Sequence, residues 1–122
     1  MASFPESIRQ DALSAYQKAE SAYLSSPTRG FNNPFARPGL TVRQLAFALN
    51  LVDETEPGRF RADIKRTRQV IKMLLADGLI ESLGQYRTLS SGSRVTECFG
   101  ISGMHHRIEL AQQAWLESCP PR

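Results

Sequence analysis

The chain has few of the residues that would make its chemistry easy to name. Among its 122 residues there are two cysteines, Cys98 and Cys119, and two histidines, His105 and His106. Two cysteines are too few for a disulfide framework, and no Cys-x-x-Cys pair is present. Adjacent histidines on a helix point about 100° apart, so they do not make the i, i+4 pair that grips a zinc ion. Cys98, Glu109 and Cys119 are the further ligand types in the chain, but no metal or other cofactor is expected. No apolar run approaches the roughly 20 residues needed to cross a bilayer. The first residues, Met1 to Glu6, lack a basic stretch followed by an apolar one, so no signal peptide is expected and the expected location is the cytoplasm. There is no Gly-x-Ser-x-Gly, no phosphate-binding glycine-rich loop and no close carboxylate pair in an apolar setting, so an enzyme is not expected.

Bulk composition excludes little else. Hydrophobic residues at 41% and charged residues at 22% are ordinary for a soluble domain of this length, which is enough chain to bury a core without staples. Net charge is only +3, but it is unevenly placed. Residues 59–72 hold six cations (Arg59, Arg61, Lys65, Arg66, Arg68, Lys72) against Asp63 alone, a net +5 that leaves about −2 for the rest. Such concentration is the footprint of a surface for phosphates.

Periodicity divides the chain into elements. Residues 5–25 read as a first helix, with Ile8, Ala12, Ala15, Tyr16, Ala19, Ala22 and Tyr23 at three- and four-residue spacing. Residues 27–39 hold three prolines and two glycines and read as a loop, pinned to the body by Phe31 and Phe35. Thr41, Val42, Arg43 and Gln44 form a capping box that opens a short helix to about Asn50. Residues 52–58 form an acidic loop ending in the turn signal Pro57-Gly58. A basic amphipathic helix is expected over 60–77, stopped by Gly78. Leu79 to Leu83 reads as a short strand, Tyr86 to Leu89 as a second piece, Ser90 to Ser93 as a turn, and Val95 to Ile101 as a returning strand. Residues 103–118 form a last helix, with Met104, Ile108, Ala111 and Trp115 on one stripe.

On a wheel of the basic helix, Ile64, Thr67, Ile71, Leu74 and Leu75 cluster on one side with Val70 at the edge. Arg61, Lys65, Gln69 and Lys72 project from the other, flanked by Arg66 and Arg68. Arginine and lysine can donate to phosphates or to guanine O6 and N7, and glutamine can pair with adenine N6 and N7. Ala62, Lys65, Arg66 and Gln69 are therefore candidate base readers, near the end of the helix that reaches base edges. Arg59, Arg61, Arg68 and Lys72 are candidate contacts to the DNA backbone, joined by Arg87 and Arg94 beside the polar turn and by Thr41 and Arg43 at the start of the short helix.

Leu40-Thr-Val-Arg-Gln-Leu-Ala-Phe-Ala-Leu resembles the second helix of winged-helix transcriptional regulators. Val70-Ile-Lys-Met-Leu-Leu-Ala-Asp-Gly-Leu-Ile-Glu resembles their passage from recognition helix to wing. The resemblance covers residues 40–101, about half the chain, and departs from a tight helix-turn-helix in the long connection 51–59. It implies a single domain, mainly α with a small β-hairpin: a winged helix-turn-helix core with added N- and C-terminal helices. Its implied function is sequence-specific binding of double-stranded DNA by a small transcriptional regulator of a bacterium, phage or plasmid. Helix 60–77 would lie in the major groove and wing 86–95 on the backbone.

The outer helices suggest a homodimer through Tyr16, Tyr23, Met104, Ile108, Ala111 and Trp115, matching two half-sites. The rival reading is a winged-helix adaptor for a protein partner in a replication or anti-defence assembly of a mobile element, using the Phe31–Phe35 loop and Trp115. A binder of RNA or single strands is disfavoured, because Phe60 is the one aromatic in the basic stretch.

Overall fold

The computed structural model describes residues 6–33, 36–49, 57–87 and 95–118, with side chains described over 7–33, 36–49, 64–86 and 95–118. Helix α1 (Glu6–Ser25) leads through a turn-rich segment to strand β1 (Leu40–Thr41) and helix α2 (Val42–Ala48). Helix α3 (Pro57–Ala76), strands β2 (Ile80–Arg87) and β3 (Val95–Ile101), and helix α4 (Met104–Ser118) complete the order. The protein is mainly helical, with a three-stranded antiparallel sheet ordered β1-β3-β2. No helix of the described residues is long and apolar enough to cross a membrane.

Local chemistry explains the helix ends. The Thr41 hydroxyl accepts from the Gln44 amide at 3.2 Å, and Gln44 Oε1 accepts from the Thr41 amide at 3.0 Å, so the expected capping box is formed. At the end of α3, the Leu79 amide donates to the Leu74 carbonyl at 3.0 Å and the Gly78 amide to the Leu75 carbonyl at 3.1 Å. Gly78 sits at φ +72, so this is a Schellman cap. Helix α3 begins at Pro57 rather than at residue 60. Proline fits a first helical turn because the amide it lacks would be unpaired there anyway.

Two strand expectations need correction. β2 is one strand from Ile80 to Arg87 rather than two pieces, and a bulge between Ser82 and Gly84 absorbs the irregularity. β1 was not expected; its two residues pair with Phe99 and Cys98.

The sheet separates two apolar clusters. Ile80, Phe99 and Ile101 join Ala12 and Tyr16 of α1, Leu45 of α2, and Val70, Ile71 and Leu74 of α3. On the other side Leu83, Cys98 and Met104 pack with Tyr23, Tyr86 and Ile108. Full burial of one large apolar side chain contributes about 1.5–3 kcal/mol, so the first cluster orients α3 against the body.

Candidate nucleic-acid interface

The buried stripe of α3 is Thr67, Val70, Ile71 and Leu74, at the i, i+3, i+4, i+7 spacing of a helix seated on one side. Val70 is central to it and fully buried, while Leu75 is 37% exposed, which corrects the wheel reading of both. Ala12, Tyr16 and Leu45 draw Val70 inward; Leu75 turns toward a groove instead.

Lys65, Gln69 and Lys72 stand opposite that stripe, with Arg66 and Arg68 on its flanks, and all five are exposed. Residues 64–76 contain no acid. The first acid beyond them, Asp77, is paired with Arg9 of α1. Glu20 accepts from Arg107, Glu81 from the Gly103 amide, and Glu97 from the Ser82 hydroxyl at 2.5 Å. Lys65, Arg68, Gln69 and Lys72 make no hydrogen bond or ion pair with a described residue. Their donors remain available, and no acid lies among residues 64–76 to offset the field of the cations.

Other predicted contacts fare differently. Thr41 is buried and its hydroxyl is occupied as the cap of α2, so it is not available to a phosphate. Arg43 is exposed, its guanidinium 5.8 Å from the Phe47 ring centroid. Arg59, Arg61 and Ala62 lie on α3 and Arg87 ends β2, but their side chains fall outside the described residues. Arg94, the turn 90–93, Phe35 and Cys119 also fall outside them.

Beside the basic face runs a groove of about 790 Å³ between the start of α2, α3 and the two long strands. Val42, Ile64, Ile71, Leu75, Val95 and Phe99 make its apolar lining, and Arg43, Arg68 and Lys72 its cations. Ser82, Thr96 and Glu97 complete it.

The residues expected at a dimer interface are largely taken by the protomer's own packing. Tyr16 and Met104 are fully buried, and Tyr23 and Ile108 pack in the second cluster. The Trp115 ring meets Phe31 edge-on, 6.5 Å between centroids at 78°. This contact is the loop anchoring expected of Phe31. Ala111 is half-buried. The apolar stripe of α4 thus faces inward, and the leucines it leaves to solvent are Leu110 (52% exposed) and Leu116 (65% exposed).

Arg107 was not legible as important. It donates to Glu20 through Nε at 2.9 Å, and to the carbonyls of Ser102 (3.1 Å) and Ile101 (3.2 Å). Its one sequence signal is an arginine set beside Ile108 at the edge of an apolar stripe.

The perturbed acids lie in the two apolar clusters. Burial pushes the Cys98 thiol up to about 11, against a lowering by Arg37. Burial likewise raises Tyr16, Tyr23 and Tyr86. Such a thiol stays protonated at neutral pH and is a poor nucleophile. His105 and His106 are exposed on α4. Among the described residues no three His, Cys, Asp or Glu side chains gather in a way that could hold a metal ion. Compared with known proteins, the chain matches no family model, no curated protein and no solved structure.

Proposed function

We propose that the protein binds double-stranded DNA in a sequence-specific manner as a winged helix-turn-helix transcriptional regulator. One observation carries the reading: the face of α3 opposite its buried stripe presents Lys65, Arg68, Gln69 and Lys72 with no acid among them and no described partner. The order of elements supports it. A helix and an edge strand precede a short capped helix and a long basic helix, and two antiparallel strands follow. In this reading α3 lies in the major groove, Lys65, Arg66 and Gln69 address base edges, and Arg68 and Lys72 hold phosphates. The β2–β3 hairpin lies along the flanking backbone. Pairing of two copies draws its support from the outer side of α4, where Leu110 and Leu116 are exposed.

Selection from a random duplex pool followed by mobility shift tests this. Lys65→Ala and Gln69→Ala are expected to flatten sequence preference, each costing about 1–3 kcal/mol on the preferred site. Lys72→Ala should weaken all duplexes alike and reduce the salt slope by about one. If all three variants keep wild-type binding and slope, α3 is not a DNA surface.

A further inference from the structure

The basic face of α3 explains Lys65 and Gln69, but not the apolar groove beside it. Leu75 and Val95 are 37% and 51% exposed and both line that groove, together with Val42 and Ile64. A sugar–phosphate strand gains little from such a lining and is repelled by Glu97. The volume, about 790 Å³, falls within the usual range for a bound ligand of roughly 300–1,000 Å³. Three cations border it against one acid, and two of them, Arg68 and Lys72, have no described partner.

We infer that this groove receives an acidic amphipathic helix from another protein. Its apolar side chains, one helical turn apart, would cover Leu75 and Val95, and its carboxylates would meet Arg43, Arg68 and Lys72. Apolar anchors in a groove supply affinity, and charge complementarity supplies orientation and choice of partner. A consequence follows for the DNA-binding reading, on which this part alone rests. Arg68 and Lys72 belong to both surfaces, so the helix and a duplex exclude each other, and the partner acts as a negative regulator of DNA binding.

The test uses the full chain and a fluorescein-labelled peptide of about 18 residues, or five helical turns, with leucine at i, i+3, i+4, i+7 spacing and glutamate between. One control replaces every glutamate by lysine and another every leucine by serine. Fluorescence anisotropy is expected to saturate with the acidic peptide and with neither control. Leu75→Ser combined with Val95→Ser, and separately Arg68→Glu, should each weaken it by about tenfold or more, whereas Lys65→Ala should leave it within about twofold. Both substituted apolar residues are part-exposed, and thermal melting by circular dichroism checks that the variants fold. Amide shifts on titration should map to the start of α2, α3 and β3.

Absence of saturation, equal binding of the lysine peptide, or shifts mapped to Leu110 and Leu116 would each overturn the inference. Loss of duplex binding in Leu75→Ser/Val95→Ser without any peptide binding would assign the groove to nucleic acid instead. The peptide measurement needs no DNA, so its failure is separable from failure of the DNA reading. Excess duplex should displace the peptide; simultaneous binding would refute mutual exclusion while the anisotropy judges the groove.

Discussion

Gly39 and Gly78 hold nearly the same backbone, φ +68 and φ +72, yet their neighbours differ completely. A Cβ on Gly78 would meet nothing within 4 Å, while one on Gly39 would lie 2.0 Å from the Phe99 carbonyl oxygen. Gly78→Ala therefore carries only the left-handed backbone penalty, about 1–2 kcal/mol, partly offset by a stiffer unfolded chain. Gly39→Ala must also push β1 from the central strand, and its cost is expected to exceed that of Gly78→Ala by about 2 kcal/mol or more. Urea denaturation of the two variants compares them directly. Gly78 was legible because a helix, a glycine and two apolar residues follow one another in sequence. Gly39 was not, because its constraint comes from Phe99, far along the chain.

Elements were legible to the extent that their pattern is periodic and long. All four helices could be placed from apolar spacing, and the capping box from Thr41 and Gln44. The two residues of β1 have no period to show. Partners were harder than elements: the α4 stripe was visible, but spacing alone does not say whether it meets a second copy or the molecule's own sheet. Here it meets the sheet and α1, and Arg107 locks it there. Arg107→Ala should release three partners at once, speeding amide exchange in α4 by about tenfold while leaving α3 protected. Because Arg107 and Glu20 are partly solvated, the loss in global stability should stay near 1 kcal/mol. Equal acceleration in α3 and α4 would show that Arg107 stabilises the whole fold rather than docking one helix.

At the scale of the molecule, β3 ties the two clusters together, since neighbours Phe99 and Cys98 serve opposite sides. The second cluster also makes stability depend on alkaline pH. Folding holds the Cys98 thiol protonated up to about 11, against an ordinary value of 9.0. Above pH 9 the unfolded chain releases a proton that the folded chain keeps, so this contribution is whole below pH 9 and declines toward pH 11. Tyr16, Tyr23 and Tyr86, raised by burial, extend the decline above their ordinary 10.0. The urea midpoint should be level from about pH 7 to 8.5 and fall above about pH 9, and Cys98→Ala should flatten the first part of that fall. The basic face was readable from composition and period together. The groove was not, because Val42, Leu75 and Val95 come from three elements whose meeting only the fold defines.

The bulge in β2 gives the strand a spare residue. Ser82 faces Phe99 and Gly84 faces Cys98, so Leu83 has no ladder partner of its own. Removing a residue of this strand outside the bulge would turn part of it over, exchanging inward and outward side chains. Removing Leu83 or Gly84 would instead leave an unbroken alternation, with loss of one buried side chain in the first case and of none in the second. Length variation in this strand is therefore confined to the bulge, and the second cluster survives it only where Leu83 is the residue kept.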